Sequence, residues 1–578
     1  MGTSETSRGD RANSAATGSA PLLFQWLFPY DDRQAGHKFH QKAFGRVNQA
    51  IDLVSLLALL GCNAAVYYGF KTLMNFFRRY TAWRVYDSPS FILSSLSYPS
   101  FLLTVGTMLT GFLLLWTKTR WDEFETPNRL RVLIVPICLL LAGYLGLSEY
   151  NFFWDQGFLF DRFLLIGFAL AVFYHPFFLV PALVVLIGFY AQVNLPFGRY
   201  HTPYFLPLLE VLLLFVSYMI LRGIRKVPLR VFLYGLLCLI GASYFAPGFH
   251  KILASPNGLE WVLEYRLDYG AEQSYFLGWW WWNENLFWSL MAFLREYQRP
   301  MIGLTLLLEL SAPLIFLGFY WTLIIMSGFL VFHLVTFTMA GFLFWKLGLA
   351  LILLLLVLWS LPPKTKWFLY HSTVRYVAIG IVVLTPVTGV FETHRLVWWD
   401  TKHQVRFDLM ARTNEGTVRL SYPSLGPYSE SFGRGLITFN RMIDRPIILS
   451  QSTTARRARI INNELGGLVD LRELENRIGR TFYSSTHSAQ IKLFLRRYFR
   501  NYRERTEFQE QIDSWLRFLR FPRYVNHTGG PNYTNIRDLD AKLRGLEVRR
   551  VEGVSRKDRV EILRNRLTWA VDFTNHNS

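Results

Sequence analysis

Cysteine is scarce in this chain: three residues in 578, none of them close to another. Cys62, Cys138 and Cys238 each lie inside an apolar run. A disulfide framework needs several cysteines in pairs, and a structural zinc site needs closely spaced ligands. We therefore predict neither, and no other metal site.

The N-terminus lacks the apolar core of a secretory signal peptide. It reads "MGTSETSRGDRANSAATGSAP", which is rich in serine, glycine and alanine. Such a composition buries too little apolar surface to fold by itself. We predict that residues 1–45 form a disordered or amphipathic cytosolic tail.

Acidic residues are fewer than basic ones, which gives a net charge of +20. The basic residues are concentrated in loops between apolar runs and in the C-terminal third of the chain. A nucleic-acid binder would instead place them on one face together with stacking aromatic residues. We therefore predict a lipid bilayer as the partner and no nucleic acid.

Long uncharged runs are the most abundant feature, as in "LGLALILLLLVLWSL" at 347–361. Runs of about 20 apolar residues match the hydrocarbon layer of a membrane. They predict an all-α polytopic membrane bundle of about 9–11 transmembrane helices in residues 46–392. The expected helices are at about 50–70, 96–117, 131–148, 159–174, 176–192, 203–222, 229–246, 301–321, 323–342, 344–361 and 374–391.

Lysine and arginine in the short loops indicate the orientation. The basic loops at 118–131, 222–230 and 362–375 fall on one side only if residues 159–192 form two short helices broken at Pro176. Positive loops are cytosolic, so the N-terminus is expected in the cytosol and the C-terminal domain on the other side. The basic stretch 71–84 does not fit this scheme and is expected to be a surface helix.

Residues 393–578 differ in character and predict an extramembrane α+β domain with basic helices. Alternating residues and turn signals at 403–426 indicate antiparallel strands, and 488–521 has the spacing of a basic amphipathic helix. Two glycosylation sequons begin at Asn526 and Asn532 in this part of the chain.

Ionisable groups within apolar spans are costly and therefore are candidates for function. His250 and Lys251 follow the span expected to end near Ala246, while Glu309 and His333 lie inside spans. Each also has a structural interpretation. Lys251 can anchor a helix at the lipid surface, Glu309 can form a structural ion pair, and His333 can be a hydrogen-bonded core residue.

Three stretches in a fixed order resemble the vitamin K-dependent γ-glutamyl carboxylases and the wider HTTM membrane proteins. They are "YFAPGFHKILASPNGLEW" (244–261), the helix pair at 304–345 with its acidic residue and Phe-His pair, and the strand region at 405–427 followed by 436–457. The resemblance covers roughly residues 45–460. The chain lacks two features of the family. One is a histidine, which would lie in "DQGFLFDRF", and the other is the family's cysteine pair.

The resemblance implies quinol-dependent γ-carboxylation of glutamate coupled to quinone epoxidation. The cofactor would be vitamin K hydroquinone or another quinol. Lys251 would be the base, with His250, in place of a second family lysine, and His333 as further catalytic residues. Glu309, Trp261 and Phe332 would line the pocket.

A non-enzymatic alternative remains open at this stage, so whether the chain is an enzyme is undecided. It is a membrane assembly or maturation factor that keeps the fold and binds lipid or quinone. Such a factor would dock a protein partner through its C-terminal domain.

Overall fold

The computed structural model describes residues 41–81, 90–114, 116–147, 158–193, 206–254, 257–279, 283–341, 344–393, 397–428, 432, 436–503, 533–536, 539 and 543–573. Several sequence predictions fall outside these residues: most of the N-terminal tail, both sequons and the region 504–521 of the basic helix.

The described chain is mostly helical, with a β-sheet near its C-terminus. The helices up to residue 388 are α1 Gln41–Thr81, α2 Phe91–Ser95, α3 Pro99–Leu114, α4 Pro127–Gly146, α5 Phe158–Ala171, α6 Leu179–Val193, α7 Leu206–Ile224, α8 Leu229–Leu253, α9 Glu260–Glu264, α10 Leu267–Phe276, α11 Glu284–Leu310, α12 Phe319–Ala340, α13 Trp345–Ser360, α14 Pro363–His371 and α15 Val374–Thr388.

The C-terminal domain contains strands and shorter helices. These are β1 Trp399–Asp400, β2 His403–Thr413, β3 Thr417–Leu420, α16 Leu436–Asn440, β4 Gln451–Ser452, α17 Ala455–Glu464, α18 Leu468–Ile478, α19 Ser485–Arg503, β5 Leu543–Ser555 and β6 Val560–Asp572.

Five helices among the described residues are long and apolar enough to cross a membrane, or six if the bent pair α13–α14 is one span. The helices α3, α5, α6 and α15 have 14 to 16 residues each. Within the described part of the chain, this is fewer than the expected 9–11 spans, because several apolar runs form helices shorter than a hydrocarbon layer requires.

The central helix is α8, which packs against α1, α7, α11 and α15 and is buried over most of its length. The expectation that this span ends near Ala246 is wrong. Pro247 removes one backbone donor, but the helix continues through it to Leu253. Lys251 therefore lies in the last turn of a buried helix.

Two further helix predictions are wrong. Of the predicted helix 301–321, only residues 301–310 belong to α11, which begins earlier, at Glu284. Its first turn is capped by the Asn283 side chain, which accepts from the Leu286 amide at 2.7 Å. Pro313 disfavours the α conformation in the residue before it, and a 3-10 turn follows at Ala312–Phe316. The basic stretch at 71–81 is continuous with α1 rather than separate.

Other helix and strand predictions are confirmed. The apolar stretch 159–192 is broken at Pro176, where a 3-10 turn separates α5 from α6. The predicted strands at 403–426 are β2 and β3, which belong to an antiparallel four-stranded sheet of order β3-β2-β5-β6.

A buried ionic network holds α18 to this sheet. Arg564 of β6 binds Glu475 of α18 and Glu552 of β5, and Arg550 binds Glu552 at 2.9 Å. Burial by itself would raise the pKa of Glu552, but Arg550, His403 and Arg564 together hold it well below its ordinary value. The carboxylate is therefore charged at neutral pH.

Replacing Arg564 with methionine would leave Glu475 and Glu552 buried with one cation fewer. We expect Arg564→Met to destabilise the protein by about 3–5 kcal/mol. The measurement is the thermal unfolding midpoint of the full chain in detergent. Arg559→Met, in the exposed turn between β5 and β6, is the matched control; equal midpoints for the two variants would contradict the assignment.

Candidate functional site

The buried ion pair Lys251–Glu309 is the centre of the candidate site. The Lys251 ammonium donates to both carboxylate oxygens of Glu309 at 2.7 Å each. Both side chains are more than nine-tenths buried. A buried pair of this kind is stable only while both partners are present, because either charge alone is costly in an apolar interior.

The close approach of α11 to α8 brings Glu309 within reach of Lys251. Gly248 lies one turn before Lys251, and a Cβ added there would be 2.9 Å from the Glu309 Cβ. A larger residue at this position would push the two helices apart. The glycine therefore allows the carboxylate to meet the ammonium directly.

An aromatic ring covers the pair on another side. The Lys251 ammonium lies 4.3 Å from the centroid of the Trp261 ring, in α9. This is within the range of a cation–π interaction. The ammonium is thus enclosed between a carboxylate and an indole.

His333 of α12 contacts α8 two turns before Lys251. Its Nε2 shares a short hydrogen bond with the hydroxyl of Tyr244, which is seven residues before Lys251. The Tyr244 ring stacks on Phe329 at 3.5 Å, with 3° between the ring planes. Tyr244 therefore places His333 on the same side of α8 as the ion pair.

The other predicted residues lie further from the pair. His250 is half-buried, and successive helical residues point about 100° apart, so it occupies a different face of α8 from Lys251. Phe332 is half-buried beside His333, with ring centroids 5.5 Å apart.

Sequence reasoning missed Tyr244 of the site and two buried ionisable residues elsewhere in the bundle. Tyr244 is separated from Lys251 by two helical turns, which was a usable signal. Glu210 in α7 and Lys346 in α13 are buried ionisable residues in apolar helices and satisfy the criterion that was applied to Glu309. The Lys346 ammonium lies 3.9 Å from the Tyr144 ring.

A second layer connects the site to the C-terminal domain. The Trp261 indole donates to the Trp398 carbonyl at 3.3 Å and stacks on the Tyr265 ring at 4.8 Å. The Tyr265 hydroxyl donates to Asp400 at 2.6 Å, and burial raises the pKa of Asp400 to about 6 despite this hydrogen bond. No sequence pattern points to Asp400.

Chemically, the site offers an acid, a base and aromatic surface in an enclosure that excludes water. Among the described residues, no group of three or more histidine, cysteine, aspartate or glutamate side chains is arranged to hold a metal ion. Acid–base chemistry on an apolar ligand is the reaction type that this set of residues supports.

Comparisons with known proteins give no match to this chain among family models, curated proteins or solved structures. The resemblance to the carboxylases therefore depends on the sequence motifs alone.

Removing one partner of the ion pair is expected to cost more than removing both. Lys251→Met and Glu309→Leu should each destabilise the protein by about 3–5 kcal/mol, since each leaves a buried charge without its partner. The double variant should recover most of that loss. The measurement is thermal unfolding of the full chain in detergent.

Lys557→Met, at an exposed lysine, is the control for loss of a positive charge. Additive effects in the double variant would show that the two side chains do not stabilise each other.

Proposed function

We propose that this chain is a multi-pass membrane protein with its C-terminal domain outside the cytosol. Large apolar side chains on the outside of the bundle support this, among them Leu103, Tyr320 and Leu334, each more than 60% exposed. So many exposed apolar residues on long helices are typical of a lipid-facing surface.

The orientation is supported by the two ends of α8. The basic loop at 222–230 precedes it, and Trp261, shortly after its end, contacts the C-terminal domain. A helix that crosses the bilayer once places these on opposite sides. Because basic loops are cytosolic, the C-terminal domain is on the non-cytosolic side. The proposed cytosolic N-terminus requires the short helices α3, α5 and α6 to cross the bilayer as well.

Within this protein we propose a carboxylase-like activity with Lys251 as the base. The buried contact between Lys251 and Glu309 is the observation that supports it. A proton transferred from the ammonium to the carboxylate over 2.7 Å leaves both groups uncharged. A neutral pair avoids much of the desolvation cost of two buried ions. Lys251 is then able to accept a proton from an acidic hydroxyl beside it.

The residues present fit the polar end of a quinol. Lys251 and Glu309 supply a base and an acid, and the Lys251 ammonium lies beside the buried Trp261 indole. When bound, vitamin K hydroquinone or another quinol would be oxidised by dioxygen to its epoxide, and that oxidation would drive the addition of carbon dioxide to the γ-carbon of glutamate. The protein contributes proton transfer at Lys251, orientation and exclusion of water.

The alternative function is that of a non-enzymatic assembly or maturation factor, which binds lipid or quinone and docks a partner through its C-terminal domain. The closed geometry of the pair favours it, because both carboxylate oxygens already accept from Lys251. In that case the pair is a structural connection between α8 and α11.

Lys251→Arg separates the two functions, because a guanidinium keeps the ion pair with Glu309 but does not act as a base at neutral pH. The full chain in lipid nanodiscs is supplied with reduced vitamin K, labelled carbon dioxide and a glutamate-rich peptide. We expect label in the peptide together with quinone epoxide, and a decrease of about 10²–10⁴-fold in Lys251→Arg.

Lys557→Met is the control and should retain wild-type turnover. If the folded wild-type protein yields no label in the peptide and no quinone epoxide, the carboxylase function is rejected. Turnover that persists in Lys251→Arg would reject Lys251 as the base.

A further inference from the structure

The indole of Trp261 separates the ion pair from the C-terminal domain. On one side it lies 4.3 Å from the Lys251 ammonium, and on the other its nitrogen donates to the Trp398 carbonyl. Trp261 is itself buried. Any molecule that approaches Lys251 from the direction of the C-terminal domain has to displace this ring.

Tyr265 holds the Trp261 ring from behind. The two rings lie 4.8 Å apart with 20° between their planes, one turn apart in the chain. The Tyr265 hydroxyl donates to Asp400 of β1 at 2.6 Å. Gln451 of β4 donates to the other oxygen of the same carboxylate at 3.0 Å. The position of Tyr265 is thus fixed by two strands of the C-terminal domain.

Gly270 of α10 leaves room for the Asp400 carboxylate. A Cβ added at Gly270 of α10 would lie 2.6 Å from an Asp400 oxygen. The carboxylate is therefore packed directly against α10, and any other residue at 270 would displace it. Asp400 has little freedom to leave Tyr265.

A second contact holds the same short helix. Arg459 of α17 binds both Glu260 and Glu264, which flank Trp261 in α9. Arg459 is about half exposed, so this contact lies at the rim, where ion pairs contribute little stability. Tyr265 and Asp400 form a buried polar contact that supports Trp261, in addition to the hydrogen bond between Trp261 and Trp398.

We infer that Tyr265 and Asp400 are positioning residues that hold Trp261 closed over the Lys251–Glu309 pair. The C-terminal domain thereby controls access to Lys251 from the extramembrane side. The inference deepens the proposed function, since the enclosed amine is its base. Its test measures the reactivity of that amine and not turnover.

The experiment acetylates the full chain in phosphatidylcholine nanodiscs with a water-soluble N-hydroxysuccinimide ester of acetate. Mass spectrometry follows the rate at each lysine. In the wild type, Lys251 should react far more slowly than the exposed Lys557. In Tyr265→Phe the acetylation rate at Lys251 should rise about fivefold. Losing one buried hydrogen bond raises by about that factor the fraction of molecules in which Trp261 has moved away from Lys251.

Asp400→Asn should have the same effect as Tyr265→Phe, because it weakens the same hydrogen bond. Trp261→Phe keeps a ring over the ammonium and should change the rate less than Trp261→Ala. Tyr275→Phe is the matched control. Tyr275 lies in the neighbouring helix α10, and its ring stacks on Phe287 at 4.4 Å. It should leave Lys251 at the wild-type rate.

Two results would overturn the inference. One is an unchanged rate at Lys251 in Tyr265→Phe and Asp400→Asn. The other is an equal rise at the buried Lys346, which would show general loosening. If Lys251 is acetylated faster in the Tyr265 and Asp400 variants but the wild type shows no turnover, the positioning role stands and the carboxylase function is rejected. If the wild type shows turnover but the acetylation rate at Lys251 is unchanged in these variants, the carboxylase function stands and the positioning role is rejected.

Discussion

The pairing of Lys251 with Glu309 constrains much of the helical bundle. Two opposite charges enclosed among apolar helices remain stable only in contact, and here both carboxylate oxygens lie 2.7 Å from the ammonium. The contact requires α8 and α11 to approach closely, which Gly248 permits. It also requires α8 to continue past Pro247, since otherwise Lys251 would be in a loop.

The C-terminal domain extends this arrangement because it is attached to the bundle by buried polar contacts. The Gln273 side chain of α10 donates to the Val405 carbonyl and accepts from the Val405 amide, as a neighbouring strand would. Arg295 of α11 binds Glu272 and donates to the carbonyls of Arg556 and Lys557. Because these groups are satisfied only when the domain is docked, bundle and domain act as one unit around Trp261.

Local patterns predicted the elements better than their ends. Apolar runs located most of the helices, and the alternation at 403–426 located β2 and β3. The ends of α8 and α11 were missed. A proline inside a helix costs one hydrogen bond, which packing on all sides of α8 outweighs. The helix α11 likewise continues through its internal proline, Pro300, and its start at Glu284 is stabilised by the Asn283 N-cap and by contacts with α10.

The sequence by itself determined where apolar surface is found, which ionisable residues it contains and which face of its own helix each one occupies. It placed Glu309 and His333 inside apolar spans and Lys251 just beyond the end of one. Only the tertiary structure decided their partners. Lys251 and Glu309 are 58 residues apart, and Tyr265 and Asp400 are 135 apart. Helical periodicity orients a side chain relative to its own axis, whereas the helix that meets that side is chosen by the packing of the whole bundle.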